Sequence, residues 1–153
     1  MVYRSLNSPF GPLTLFEEDG AIVVLEFGRA GGGGEAGDTP LLRRAADQLN
    51  AYFDGTLHQF DLPLRPGGGP FQRRVCDAMA RIPYGRTRTY GDLAQELCSS
   101  PRAVGGACGR NPIPILIPCH RVMGANGRLT GFSGAGGVET KQALLRLEGA
   151  QLI

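Results

Sequence analysis

A chain of 153 residues, of which 42% are hydrophobic and 20% charged, can bury one good core or two small ones. No apolar run approaches the roughly 20 residues that span a bilayer, and the N-terminal residues lack the apolar segment of a signal peptide, so we expect a cytoplasmic protein without a membrane partner. Residues 1–65 hold five arginines against nine acids, a net charge of −4, whereas residues 66–153 carry +6, an asymmetry that favours a polyanion-binding second half.

The first 65 residues are predicted to form a small α/β domain, an antiparallel sheet with one helix. Leu13–Phe16 and Ile22–Phe27 are β-rich runs separated by turn residues, which predicts a hairpin, and Val2–Leu6 adds a third strand. The glycine-rich stretch Arg29–Asp38 is predicted to be a flexible loop. Thr39-Pro40 then supplies an N-cap and a first helical position for the helix.

A proline- and glycine-rich linker leads into a second domain, residues 70–153, which is predicted to be mainly helical. A helix over residues 71–82 is followed by two short helices, one over residues 90–97 and one starting at Ser100-Pro101. The tight turn between these two predicts a helix-turn-helix. A last helix is predicted from Val138 to about Leu147.

The second helix of that motif carries three glycines among residues 102–109. Each glycine costs a helix about 1 kcal/mol relative to alanine, but the surface that results is nearly smooth. Close packing against a neighbouring helix is one explanation. In a basic half of the chain we favour another, a helix that approaches a nucleic-acid backbone closely, with Arg102 projecting from its start.

Cysteine chemistry is concentrated in the second half, which holds all four cysteines. None belongs to a Cys-x-x-Cys pair and the chain has two histidines, so we expect neither a metal nor a cofactor. In a cytoplasmic setting the thiols would stay reduced. Three of them lack an adjacent histidine and arginine and are assigned to packing: Cys76, Cys98 and Cys108.

The fourth cysteine lies in the segment Pro118-Cys119-His120-Arg121-Val122. A thiol attacks as thiolate, and its usual pKa near 8.5 leaves little thiolate at neutral pH, so a neighbouring base is needed. Because adjacent side chains usually diverge, His120 is expected to take the proton of Cys119 through a bridging water rather than directly. Glu148 is the candidate that orients His120, although on pattern alone a solvated surface acid is the simpler interpretation. A buried packing role for Cys119 is disfavoured by the two polar residues that follow it.

Together with residues 110–117, this segment resembles the active-site region of the O6-alkylguanine-DNA alkyltransferases, the methylated-DNA–protein-cysteine methyltransferases. The resemblance is close over residues 70–153 and holds in outline over the first half, the family's variable, ribonuclease-H-like domain. It implies an α+β fold whose second domain is winged-helix-like. It also implies direct, irreversible transfer of an alkyl group from O6-alkylguanine in DNA to Cys119, in a single turnover, with O4-alkylthymine as a further candidate substrate.

The resemblance also implies roles for individual residues in the reaction. Cys119 is the alkyl acceptor, and His120 and Glu148 form the proton relay. Asn111 braces the site, and Tyr90 approaches the flipped guanine and assists its departure.

A second set of residues is implied in binding, with double-stranded DNA in the minor groove as the partner of a monomer. Arg102 takes the place of the extruded nucleotide in the stack, and Ala103 and Gly105 lie on the recognition helix. Val122 and Ser133 contact the base through their backbones. Phe132 and the glycines after Ser133 depart from the pattern of relatives and affect the size of the pocket.

Two other function classes stay open from the residues themselves. A cysteine hydrolase would use Cys119 and His120 with turnover, and a lesion-sensing DNA-binding protein or regulator would use the helix-turn-helix alone. The alkyl-transfer hypothesis requires an ionised sulfur at position 119 within a pocket that admits an everted purine.

Overall fold

The computed structural model describes residues 1–28, 34–129 and 137–150. The chain divides into two compact units, Met1–Pro66 and Gly67–Ile153. Within the described ranges, no helix is both long enough and apolar enough to cross a membrane.

A four-stranded sheet organises the first unit. Its strands are β1 (Val2–Leu6), β2 (Leu13–Glu18), β3 (Ala21–Phe27) and β4 (Glu35–Ala36), in the order β3-β2-β1-β4. Both β1 and β3 pair antiparallel with β2, so the predicted hairpin and third strand are confirmed. Asp19 and Gly20 form the hairpin turn with positive φ angles of 49° and 78°, which aspartate and glycine tolerate better than most residues.

Strand β4 differs from the sequence prediction of a loop over residues 29–38. Glu35 and Ala36 pair in parallel with Val2 and Tyr3 of β1. A side chain on Gly34 would meet the Met1 carbonyl oxygen at 2.8 Å, so glycine is needed for this close approach. The remainder of the predicted loop, residues 29–33, lies outside the described residues.

The long helix α1 (Pro40–Phe53) of this unit begins where its capping residues predict. Thr39 Oγ1 accepts a hydrogen bond from the Leu42 backbone N–H at 3.0 Å, which satisfies one of the free donors of the first turn. The helix contacts strands β1 to β3. Its buried side chains recur at helical spacing: Leu42, Ala45, Ala46, Leu49 and Tyr52.

Three helices open the second unit: α2 (Pro70–Ala80), α3 (Tyr90–Glu96) and α4 (Pro101–Gly109). Thr89 and Asp92 form a reciprocal capping box at the start of α3, with both hydrogen bonds at 3.0 Å. Ser100 Oγ accepts from the Ala103 N–H at 3.1 Å and caps α4. Because α3 and α4 contact each other across a short turn, the helix-turn-helix is confirmed.

The turn between α3 and α4 corrects one assignment made from the sequence. Cys98 is exposed and has a φ angle of 54°, so it does not pack in the core. Cys76 and Cys108 are buried, as expected.

Two further elements position the cysteine segment. Strand β5 (Arg88–Thr89) pairs in parallel with β6 (Val122–Met123), and α5 (Val138–Leu147) contacts the 3-10 turn Cys119–Arg121 that comes just before β6. The turn is therefore held from both sides, by a strand pair and by a helix.

Candidate active site

A closed loop braced by Asn111 delivers the chain to Cys119. The Asn111 side chain accepts from the Ile113 N–H at 3.0 Å and donates to the Ile117 carbonyl at 2.9 Å. The Ile117 N–H donates in turn to the Ile113 carbonyl at 2.9 Å. Ile115 has a φ angle of 72°, a conformation that a β-branched residue rarely adopts, so the two bonds of Asn111 hold a strained loop.

Cys119 retains only 6% of its surface exposed. Burial raises the pKa of its thiol, and interactions with the Asn111 side chain and the Lys141 ammonium oppose that rise. The ionised sulfur that the alkyl-transfer hypothesis requires stays a prediction. An anion at this position has to be formed by loss of the proton to a neighbouring base.

His120 is the base that the structure offers. Its side chain is fully buried, and its Nε2 atom lies 2.7 Å from Oε2 of Glu148. Burial lowers the pKa of the imidazole, although Glu148 acts in the opposite direction. With a neutral ring, Nε2 carries the hydrogen and donates it to the carboxylate. The lone pair then lies on Nδ1, which is buried and has no hydrogen-bond partner within the described part of the chain.

Besides His120, the buried carboxylate of Glu148 has two hydrogen-bonding partners, the Arg121 guanidinium and the Gly85 backbone N–H. Arg121 donates from Nε to Oε1 at 2.8 Å and from Nη2 to Oε2 at 2.9 Å. The Gly85 backbone N–H reaches Oε1 at 3.3 Å. A carboxylate at the C-terminal end of α5 opposes the helix dipole, and the paired guanidinium offsets this cost.

Arg121 is the first site residue that the sequence argument did not assign a role. It is 7% exposed, and besides its two bonds to Glu148 it donates from Nη1 to the Ile82 carbonyl at 2.6 Å. The sequence shows that Arg121 directly follows His120. It does not show that the two side chains point to the same partner, because adjacent side chains normally diverge. Here the 3-10 turn brings both onto one carboxylate.

Lys141 is the second residue missed. Its side chain is fully buried, and Nζ donates to the Val122 carbonyl at 2.5 Å. It lies 5.8 Å from the centre of the Tyr90 ring, and burial lowers its pKa. The spacing of α5 could have found it, because Lys141, Leu144, Leu145 and Glu148 occupy one helical face.

The implied DNA-contacting residues occupy different environments. Arg102 and Ala103 are exposed on α4, together with Gly106 and Gly109, so this helix presents a face of small residues beside a cation. Gly105 is half-buried, and a Cβ there would lie 4.0 Å from Cδ1 of Tyr90.

Tyr90 itself is half-buried at the first position of α3. Val122 is buried, with its carbonyl bound by Lys141. The structure thus brings Tyr90, Val122 and the cysteine turn to one region of the second unit. Ser133 and Phe132 lie outside the described residues.

No group of three or more His, Cys, Asp or Glu side chains within the described ranges is placed to hold a metal ion. The buried cysteine, followed in its turn by an imidazole that a carboxylate orients, is an arrangement suited to nucleophilic chemistry.

Comparisons with known proteins agree over the whole chain. The model of the 6-O-methylguanine DNA methyltransferase DNA-binding domain matches residues 70–150, and that of the ribonuclease-like domain of the same proteins matches residues 1–66. The methylated-DNA–protein-cysteine methyltransferase of Methanosarcina acetivorans is 43% identical over 98% of this chain and 99% of its own length. The corresponding protein of Mycobacterium tuberculosis is 45% identical over 95% of this chain and 91% of its own length.

A solved structure gives the same result. The crystal structure of Mycobacterium tuberculosis OGT in complex with DNA superposes with a TM-score of 0.88 at 45% identity, and covers 97% of this chain and 93% of that one. Two family models together match nearly the whole chain, and a curated relative is 43% identical over almost its full length. The chain therefore belongs to the 6-O-methylguanine DNA methyltransferase family.

Proposed function

We propose that this protein repairs alkylated DNA by moving the alkyl group from O6 of a guanine onto Sγ of Cys119. The observation that carries the proposal is the buried pair of His120 and Glu148, 2.7 Å apart, in which His120 directly follows the buried Cys119 in the same 3-10 turn. Membership of the family supports the same reaction.

The proton path follows from the two ring nitrogens of His120. Nε2 is committed to Glu148, so Nδ1 takes the thiol proton, directly or through a water. The imidazolium that forms is stabilised by the negative charge of Glu148, which Arg121 keeps ionised and oriented.

The thiolate attacks the alkyl carbon in one displacement. A carbon–sulfur bond forms while the bond from that carbon to O6 breaks, and the electron pair leaves with guanine. Tyr90, half-buried beside the site, donates a proton toward the ring of the departing base. The product is a thioether, which the site has no means to cleave, so each molecule acts once.

Access to the base requires that the nucleotide leave the duplex. The small exposed residues of α4 allow close approach to the minor groove, and Arg102 fills the space of the extruded nucleotide. The net charge of +6 on residues 66–153 supplies attraction to the phosphate backbone. One chain contributes every residue of the relay, which supports action as a monomer, and we place it in the cytoplasm.

The test is methyl transfer from a duplex that carries a labelled O6-methylguanine. We expect at most one methyl group per protein molecule, located on Cys119 by peptide mass spectrometry, and no transfer to the Cys119→Ser variant. Repair of DNA in molar excess over protein would contradict the single-use reaction. Undiminished function of Cys119→Ala would support a lesion sensor, and turnover of a chromogenic ester would support a hydrolase.

A further inference from the structure

Arg110 gives the exposed face of α4 a second arginine. It is the C-cap residue of this helix, and its side chain is exposed. Arg102, Gly106 and Arg110 follow one another at intervals of four residues, so the three lie along one ridge of the helix. The ridge therefore has a cation at each end and a glycine between them, and α4 itself contains no acidic residue.

The side chain of Arg110 runs back along the helix and lies over Gly106. A Cβ atom built on Gly106 would be 3.3 Å from Nη1 of Arg110. Even alanine at position 106 would therefore displace the guanidinium slightly. Because position 106 is glycine, the guanidinium lies on the same small-residue face as Arg102 and does not point past the end of the helix.

Arg110 also lines a pocket of about 500 Å³. The rest of the lining consists of the glycines at positions 67–69, residues 70–72 in the first turn of α2, and Pro112. No carboxylate is among these residues, and within the described part of the chain no ion pair or hydrogen bond engages the guanidinium of Arg110. The pocket therefore presents an unpaired cation without a competing anion.

Gln72 fixes two walls of this pocket to each other. Its side chain is 8% exposed, and Nε2 donates to the carbonyl of Ala107 on α4 at 2.8 Å. Gly68 packs against the same side chain, since a Cβ atom there would lie 2.8 Å from Cγ of Gln72. The first turn of α2 is therefore joined to α4 beside Arg110, and a preformed site loses less entropy on binding than a mobile one.

A pocket of similar volume on α1 has a different charge pattern. It is lined by Arg43 and Arg44, but Arg43 lies 3.4 Å from Asp38 and Arg44 lies 3.3 Å from Asp61. These carboxylates repel an incoming anion. The pocket beside Arg110 is therefore the better candidate for binding an anion.

The spacing of the two arginines indicates which part of DNA Arg110 meets. Eight residues separate Arg102 from Arg110, which corresponds to about 12 Å along the helix axis. Successive base pairs are about 3.4 Å apart, so with Arg102 in the base stack Arg110 contacts a different part of the duplex. The phosphate backbone forms the outer surface of DNA, and a guanidinium binds phosphate through two parallel N–H donors.

We propose that Arg110 binds a backbone phosphate of DNA in the pocket between the C-terminal end of α4 and the first turn of α2. The two arginines of the ridge then have different roles: Arg110 contributes affinity for the backbone, and Arg102 contributes opening of the duplex. This division of roles rests on the proposed function, which assigns α4 to the duplex.

Binding of an unmodified duplex, followed by fluorescence anisotropy at several KCl concentrations, tests Arg110 without any reaction. One phosphate contact contributes about 0.9 to the slope of log affinity against log salt. We expect Arg110→Gln to reduce the slope by about that amount and to weaken binding about three- to tenfold at low salt. Arg110→Lys keeps the charge and should keep most of the slope. The loss should be the same for duplexes of different sequence, because phosphates carry no sequence information.

Arg146→Gln is the matched control, because it removes the same charge from an exposed position on α5. Its slope should equal that of the wild type. An unchanged slope in Arg110→Gln would overturn the proposal, and so would a loss confined to particular sequences, which would indicate a contact with base edges. Equal reductions in Arg110→Gln and Arg146→Gln would also overturn it, since net charge alone would then explain the effect.

Single-turnover kinetics and thermal unfolding separate this role from others. On a duplex with O6-methylguanine, Arg110→Gln should raise the protein concentration that gives half the maximal transfer rate, with a much smaller effect on the maximal rate itself. The opposite pattern would contradict the proposal. A lower melting temperature with an unchanged salt slope would show that Arg110 only stabilises the C-terminal end of α4. Failure of the wild type to accept a methyl group would contradict the proposed function and leave the salt dependence standing.

Discussion

His120 and Glu148 are 28 residues apart in the chain, and their side chains meet at 2.7 Å with no exposed surface on either. A buried imidazole and a buried carboxylate are each costly alone. Together they fix which ring nitrogen carries the hydrogen, because the carboxylate accepts from Nε2. The orientation of the base is therefore part of the folded structure and does not depend on substrate.

Replacement of Glu148 by glutamine tests that relationship. An amide can still accept from Nε2, but it cannot stabilise an imidazolium, so we expect methyl transfer to slow by about 100-fold or more. Arg121 would also be left with a buried unpaired charge, and we expect unfolding to become easier by about 3–5 kcal/mol. Single-turnover kinetics and urea unfolding measure the two effects.

The double variant Arg121→Met with Glu148→Gln separates chemistry from stability. Removal of the guanidinium takes away the unpaired charge, so stability should recover in part while transfer stays slow. Recovery of the transfer rate together with stability would show that Glu148 acts only by holding the fold.

The buried imidazole makes a prediction about stability and pH. Burial lowers the pKa of His120 in the folded state, so below the usual histidine pKa of about 6.5 the unfolded chain binds more protons than the folded one. Stability should then fall as the pH drops below about 6.5, with a slope approaching 1.4 kcal/mol per pH unit at most. The depressed pKa values of the exposed carboxyls Asp92 and Glu96 act at lower pH.

Urea unfolding between pH 7.5 and 5 measures this slope. The variant His120→Phe should lose it in that window, although its overall stability will differ. A slope equal to that of the wild type in this variant would show that other groups cause the loss.

Much of the fold followed from local signals. Thr39-Pro40 and Ser100-Pro101 each begin a helix at the predicted position, because a cap is satisfied by residues three positions away. Strand β4 could not be foreseen, since it depends on Gly34 meeting the Met1 carbonyl of another segment. Local chemistry carries no information about such pairings.

In the candidate site, too, some residues could be predicted from local sequence and others could not. The segment around Cys119 was informative because the reactive residues are consecutive, whereas the role of Arg121 depends on where α5 ends. Lys141 was passed over although its helical spacing with Glu148 places both on one face. A net charge summed over the whole domain does not show that one basic residue lies on an apolar helix face, so this signal was missed.

Asn111 offers a test of the loop that carries the cysteine. Replacement by leucine leaves the Ile113 N–H and the Ile117 carbonyl without their present bonds, and each unsatisfied buried group costs about 1–3 kcal/mol. We expect a loss of about 2–6 kcal/mol in unfolding free energy and slower modification of Cys119. Asn50→Leu, an exposed position on α1, is the control, and equal losses in both variants would contradict the bracing role.

Arg102 provides the test of base extrusion. It is exposed at the second position of α4, where its side chain can enter the stack, and extrusion from a paired duplex costs a few kcal/mol. Arg102→Ala should therefore slow methyl transfer from duplex DNA by about tenfold or more, while transfer from a single strand, in which the base is already unstacked, changes little. Arg146→Ala, also an exposed arginine in this unit, should leave both rates near those of the wild type.

The salt dependence of binding distinguishes extrusion from simple attraction. If Arg102 only contacted a phosphate, its loss would reduce the slope of log affinity against log salt by about one and would weaken binding to single and double strands alike. If Arg102 enters the base stack, Arg102→Ala should slow methyl transfer from duplex DNA only. This defect should become smaller when the lesion is placed opposite a mismatched base. Equal defects on both substrates would assign Arg102 to backbone attraction and leave the opening of the duplex to other residues of α4.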